Sequence, residues 1–259
     1  MSIYRCVGYS KTFNFDEIKS PFKIKKSLSV VIPTYNEEGN MENVVSKVKE
    51  VLGKTEFKDS FEIVVVDDNS KDKTPEIIDR LAKKPGFIAL HRKKRGIFTA
   101  VLDGIAVSNG KYVLTMDADL SHPPELIPKM LSYIDSHNMV IGSRYTKGGR
   151  MASSFTRRLG GFVLNRLCGI LIGVPVKDLG GNFRLFKKSD FSKIKFKYPC
   201  SFAEFGHELF YRSQKLGFKV KEVPFTYKDR KAGVSKIGNL PLKQAMHYIK
   251  RALELRREK

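Results

Sequence analysis

Phe61-Glu62-Ile63-Val64-Val65-Val66-Asp67-Asp68-Asn69-Ser70 is a short β-branched apolar run that stops abruptly in acids and amides. It lacks sustained polar and apolar alternation, which is the pattern of a parallel strand covered on both faces. Upstream, Leu28-Ser29-Val30-Val31-Ile32 has the same character and ends in Pro33-Thr34-Tyr35-Asn36-Glu37. Between them, residues 40–52 carry Met41, Val44, Val45, Val48 and Val51 at helical spacing. Thr74-Pro75-Glu76 then predicts a helix start, with Thr as cap and Pro in the first turn.

The alternation continues outward from this unit. Strands are predicted over 87–90 and 112–116, with helices over 98–107 and from Pro123 onward. Such an order predicts an α/β fold with a mostly parallel, doubly wound sheet that binds ligands outside the carboxyl ends of its strands. After a strand at 139–141 the pattern becomes irregular: a mixed apolar and basic segment at 154–172, strand-like residues 183–186, a helix over 204–216, and strand-like 218–223. A last helix is predicted from Pro241, with Leu242, Met246, Ile249 and Leu253 as its apolar stripe. We read residues 1–27 as a basic N-terminal extension, 28–238 as one catalytic domain, and 239–259 as a basic amphipathic helix.

The 259 residues hold 48 Lys and Arg against 27 Asp and Glu, a formal net charge of +21. Anionic partners are implied: nucleic acid, anionic lipid or phosphorylated substrates. Cys6, Cys168 and Cys200 are too scattered for a thiolate metal site and suggest a reducing compartment. We expect no signal peptide, because the N-terminal residues lack an apolar core of that length, and no membrane-spanning helix, because the most apolar stretch, 162–176, is interrupted by Asn165 and Arg166.

The chemistry concentrates at Val113-Leu114-Thr115-Met116-Asp117-Ala118-Asp119, where an apolar strand delivers two carboxylates one residue apart. Such a pair suits Mg²⁺ or Mn²⁺ held against a diphosphate, with the cation neutralising a leaving group. The alternative is that both acids are ordinary loop and capping residues. Two further strand ends, carrying Asp67 and the segment Pro33 to Glu37, aim polar groups at the same crevice, where carboxylates can accept ribose or base hydrogen bonds and Tyr35 can cover a base. Their alternatives are an Asx turn and a packing role.

The runs Val30-Val31-Ile32-Pro33-Thr34-Tyr35-Asn36-Glu37, Val64-Val65-Val66-Asp67-Asp68-Asn69-Ser70 and Met116-Asp117-Ala118-Asp119-Leu120-Ser121-His122-Pro123-Pro124-Glu125 resemble the motifs of family 2 glycosyltransferases, most of all the dolichol-phosphate mannose synthases. The resemblance extends through Gly142-Ser143-Arg144-Tyr145, Asp178-Leu179, Phe183-Arg184 and residues 229–236. It implies a GT-A type nucleotide-diphospho-sugar transferase fold that moves mannose from GDP-mannose to dolichyl or polyprenyl phosphate with inversion. It further implies that Pro33, Tyr35, Glu37, Val65 and Asp67 meet the nucleoside, and that Asp117, Ala118 and Asp119 meet the diphosphate. Asp117, Asp119 and Ser121 would then hold the metal. Arg144 and Arg157 match positions that meet the acceptor and sugar phosphates, Gly161 matches an acceptor-phosphate position, and Arg230 with Lys236 matches a mobile clamp over the donor. Asp119, Arg144 and Arg157 carry the catalytic expectation. An activating base is not required, since a phosphate monoester with a second pKa of about 6 is already ionised at neutral pH.

Gly96-Ile97-Phe98, Gly161, Gly181-Asn182 and Gly206 depart from the family pattern. Phe98 is expected to alter the donor pocket, which leaves a glucose or amino-sugar uridine donor as an alternative to mannose. The run Arg92-Lys93-Lys94-Arg95 is read as a solvated surface, in preference to a diphosphate-attracting helix start. In the 154–172 segment, Phe155, Leu159, Phe162, Val163, Leu167, Ile170 and Leu171 interleave with Arg157, Arg158 and Arg166, as suits a lipid headgroup boundary or, alternatively, a core helix with a basic outer face. The expected location is therefore peripheral, on the cytoplasmic side of a membrane, with or without an anchored partner subunit. Two other readings stand beside this one. The first is a family 2 transferase with a non-lipid acceptor, using Glu204 or Glu208 as base. The second is a basic nucleic-acid module, disfavoured by crevice acids and by the lack of an aromatic stacking platform.

Overall fold

The computed structural model describes residues 27–93, 95–197, 202–228 and 242–258, without the side chains at 157, 202–204, 228 and 242–244. Its first half is regular: β1 (Leu28–Thr34), α1 (Met41–Leu52), β2 (Phe61–Asp67), α2 (Thr74–Ala82), β3 (Phe87–His91), α3 (Ile97–Val107) and β4 (Tyr112–Thr115). A 3₁₀ turn, Pro124–Leu126, leads into α4 (Ile127–Ile134) and β5 (Met139–Ser143). The second half contains β6 (Arg150–Ala152), α5 (Phe155–Ile172), β7 (Arg184–Lys187), α6 (Lys188–Phe191) and α7 (Phe202–Lys215). It ends with β8 (Val220–Pro224), β9 (Thr226–Lys228) and α8 (Leu242–Arg257).

The main sheet has the order β3-β2-β1-β4-β7-β5-β8, and β6 with β9 forms a small parallel pair. Winding reverses between β1 and β4, so the ends of β1, β2 and β4 border the crevice where open α/β sheets take their ligands. One strand breaks the parallel pattern. β7 lies between β4 and β5 and runs antiparallel to both. A strand's residue pattern reads the same in either direction, and here the β6–α5 excursion returns the chain inverted.

Residues along each central strand alternate between two apolar clusters. Val30, Ile32 and Val65 pack with α1, α2 and α4, while Val31, Val64 and Val66 pack with α3, α7 and α8. Both faces are therefore covered, which is why the strand sequences read as continuous apolar runs. Each fully buried Val or Ile contributes roughly 1.5–3 kcal/mol, enough to fix strand position but not direction.

The terminal helix corrects one expectation. α8 packs against α5 and α7 through a face carrying Tyr248, Ile249, Ala252 and Leu255, whereas Met246 and Leu253 point outward. The expected stripe was rotated because the surface it meets already belongs to α5 and α7. Residue 27 also belongs to the domain: Ser27 is buried, and its carbonyl accepts from the Tyr112 N–H. Cys168 is buried and its thiol is pushed up to about 11 by desolvation, which suits an inert core residue. Cys6 and Cys200 lie outside the described residues. Among those described, no helix is long and apolar enough to cross a membrane.

Candidate active site

Three loops meet at the crevice, and each contains a non-glycine residue with positive φ: Asn36 at 51°, Asn69 at 66° and Leu120 at 59°. Asparagine tolerates that conformation, but Leu120 pays roughly 1–2 kcal/mol for it. Strain of this kind persists where its surroundings over-determine the backbone. Here they do so by hydrogen bonds: the Asp117 N–H donates to His122 Nδ1 at 3.0 Å, and the Ser121 N–H donates to Asp119 Oδ1 at 3.0 Å. His122 is buried, stacks on Phe183 with centroids 5.0 Å apart, and is held below the ordinary histidine range by desolvation. A neutral ring with Nδ1 unprotonated fits its role as acceptor.

The two acids differ in access. The Asp117 side chain is 30% exposed, whereas Asp119 is buried. Asn182 Nδ2 donates to Asp117 Oδ1 at 3.0 Å. The buried Ser121 hydroxyl has no hydrogen-bond partner. Among the described residues no group of three His, Cys, Asp or Glu could hold a metal. A cation of the Mg²⁺ type needs only one or two carboxylates and completes its shell with waters and substrate phosphates. Asp117, Asp119 and the orphaned Ser121 hydroxyl fit such an ion. Ala118 packs into the core beneath them.

At the end of β1, Pro33 is buried and Glu37 is held by the Asn40 amide at 2.7 Å. Tyr35 is half-buried, and the Arg95 guanidinium lies 3.8 Å from its ring centroid. At the end of β2, Asp67 is buried, accepts from the Ser70 N–H at 3.2 Å and faces His91 Nδ1 at 3.6 Å, so the Asx-type turn is present. Val65 has no exposed surface and packs in the core behind Asp67.

The Arg92–Arg95 run is not a uniformly solvated surface. Arg92 is buried and bonds Asp68, Asp103 at 2.7 Å, the Gly96 carbonyl at 3.0 Å and Thr99. Asp68 also accepts from the Gly96 N–H at 2.7 Å. This network ties the turn that presents Arg95 to the β2 loop; the only sequence signal for it was the second acid of the Asp67-Asp68 pair. Lys94 lies outside the described residues.

On the acceptor side, Arg144 follows β5 and is gripped by Asp178, which receives its backbone N–H at 2.9 Å, Nε at 2.8 Å and Nη2 at 2.7 Å. The guanidinium also lies 5.3 Å from the Tyr145 ring centroid and 5.7 Å from that of Tyr227. Burial alone would raise the Asp178 pKa, but the Arg144 charge and hydrogen bonds hold it below the usual carboxylate range. Arg144 opens onto a groove of about 850 Å³ walled by Phe155, Arg158, Leu159 and Phe162. Gly161 lies against this wall, where a Cβ would meet the Tyr145 hydroxyl at 2.6 Å. The Arg157 side chain, Arg230 and Lys236 lie outside the described residues.

The model described as Glycosyl transferase family 2 matches residues 29–195. The chain belongs to glycosyl transferase family 2. It is 34% identical over 233 residues to a dolichol-phosphate mannosyltransferase of Pyrococcus furiosus, covering 88% of this chain and 64% of that relative, so it spans less than two thirds of the relative's length. It is 35% identical over 236 residues to a polyprenol monophosphomannose synthase of Mycolicibacterium smegmatis, covering 85% of this chain and 84% of that one. A crystal structure of glucosyl-3-phosphoglycerate synthase from Mycobacterium tuberculosis, in complex with Mg²⁺ and uridine diphosphate, matches with a TM-score of 0.64 at 17% identity. The match covers 89% of this chain and 79% of that one. The fold is GT-A.

Within this family 2 chain, two expectations change. Phe98 does not enter the donor pocket; it is buried against Phe205, with centroids 4.2 Å apart, because α3 turns this position toward α7. Glu208 is buried and receives the Lys197 N–H at 2.6 Å and Arg212 at 3.0 Å, so it is committed to internal bonds. The Glu204 side chain lies outside the described residues. Gly206 is dictated by packing: a Cβ there would stand 1.7 Å from the Leu179 carbonyl oxygen, so the loop carrying Asp178 runs directly against α7. Sequence reasoning assigned no role to Asp178 or Asn182, since their partners lie 34 and 65 positions away.

Proposed function

We propose that this chain transfers a hexose, mannose from GDP-mannose in the first instance, to a polyprenyl or dolichyl phosphate, with inversion and with Mg²⁺ or Mn²⁺. The supporting observation is the acceptor groove, where a guanidinium fixed by Asp178 stands at the mouth of a cleft walled by Phe155, Leu159 and Phe162. An anionic headgroup on an apolar tail is the ligand chemistry that matches both parts. The relatives' names support mannose as the sugar and a dolichyl or polyprenyl phosphate as the acceptor.

In this reading Tyr35, Glu37 and Asp67 receive the nucleoside beside Pro33, with Val65 in the core behind them, and Asp117, Asp119 and Ser121 hold the cation. When bound, the cation neutralises charge on the departing diphosphate. Arg144 grips acceptor phosphate oxygens through a planar fork of fixed orientation, and by resemblance Arg157 and Gly161 serve the same phosphate. Because the phosphate is already ionised, the site needs only to align it with the anomeric carbon and exclude water. By resemblance, Arg230 and Lys236 are assigned to the donor.

The exposed side chains of Phe155, Val163 and Ile170 on α5, with Arg158 and Arg166 nearby in the helix, support a peripheral position on an anionic membrane face. A donor panel of GDP- and UDP-sugars with a short polyprenyl phosphate tests the proposal. Transfer should follow GDP-mannose, stop in excess chelator, and be abolished in Asp119→Asn. Undiminished transfer in chelator, or near-full turnover of that variant, overturns it.

A further inference from the structure

We propose that Asn182 is a positioning residue for Asp117, a part it takes only because β7 is inverted. The inference rests on the proposed metal and diphosphate role of the Asp117–Asp119 loop. β4 and β7 pair antiparallel, with Thr115 opposite Arg184. Continued two residues past that pair, the same register sets Asn182 opposite Asp117. Two bonds fix the arrangement: the Thr115 hydroxyl donates to the Asn182 carbonyl at 2.7 Å, and Asn182 Nδ2 donates to Asp117 Oδ1 at 3.0 Å.

An ionised carboxylate only accepts hydrogen bonds, so the amide must present its nitrogen. Asn182 is buried, with 4% exposure, so this donor does not exchange freely with water. The other Asp117 oxygen stands 3.8 Å from His122 Nδ1, which already accepts the Asp117 N–H. The amide therefore takes up one oxygen and sets the plane of a carboxylate that keeps 30% exposure.

The test is equilibrium binding of GDP, with UDP in parallel, at varied Mn²⁺ and without turnover, for wild type, Asn182→Ala and the similarly sized Asn182→Leu. Ligand supports of a metal site are worth about 10- to 100-fold in metal affinity. We expect the Mn²⁺ concentration for half-maximal nucleotide binding to rise about tenfold or more in both variants, with metal-free nucleotide affinity and ligand-free melting temperature near wild type. Two variants that bind Mn²⁺ and nucleotide like wild type overturn the positioning role and leave the site reading intact. A parallel loss with and without metal also overturns it, since a structural defect would act that way. Wild-type binding that is indifferent to Mn²⁺ for both nucleotides overturns the site reading, and the role of Asn182 with it.

Discussion

Asp178 takes three hydrogen bonds from Arg144, one from its backbone N–H and two from its guanidinium, across 34 positions of sequence. The carboxylate is fully buried while the guanidinium retains 16% exposure. Asp178 thus fixes the fork, and Arg144 keeps one edge exposed at the groove.

Arg144→Lys keeps the charge and loses the planar fork. Transfer to polyprenyl phosphate should fall about 100-fold, equivalent to roughly 2.7 kcal/mol, in steady-state assays. Nucleotide binding should change far less, because the Asp117 loop is intact.

Asp178→Asn leaves Arg144 with a neutral partner and should cost roughly 3–5 kcal/mol, as removal of one partner from a buried pair does. The acid limb of the stability curve should change with it. The folded-state pKa of Asp178 lies below its unfolded value, so as pH falls the unfolded chain takes up the proton first. The ion pair's contribution is thus complete above about pH 4 and is lost as pH falls through the folded pKa. Melting temperatures from pH 7 down to pH 3 should converge for wild type and Asp178→Asn at the acid end.

Arg92 and Arg95 should separate cleanly. Arg92→Met leaves Asp68 and Asp103 buried without their cation and should destabilise the fold by roughly 3 kcal/mol or more in denaturant unfolding. Arg95→Ala removes an exposed stacking contact with Tyr35 and should leave stability within about 0.5 kcal/mol.

Gly206→Ala would force the Leu179 carbonyl away from α7, at a cost of roughly 1–3 kcal/mol typical of overpacking. Because that loop carries Asp178, the acceptor KM should rise as stability falls.

Ile170 and Val163 are exposed on α5 and do not line the groove. The double substitution to Glu should reduce sedimentation with phosphatidylserine vesicles severalfold while leaving transfer to a short, soluble acceptor unchanged. Equal vesicle binding by both proteins would remove α5 as the membrane face.

The sequence by itself determined the fold class, the positions of β1, β2 and β4, and the acids at their ends. These are local signals: apolar runs of strand length, helical spacing, and charges where a run stops. Resemblance then attached chemistry to those acids. Only the tertiary structure decided the direction of β7, the grip of Asp178 on Arg144, the Asn182 amide against Asp117, and the burial of Arg92 within a run that reads as surface. Each of these depends on which distant segment arrives as neighbour, and a side chain's hydrogen-bond partner 34 or 65 positions away leaves no trace in its own local pattern. The outward turn of Met246 and Leu253 has the same cause: a helix's stripe shows how much apolar surface it carries, and the elements already packed decide which part is covered.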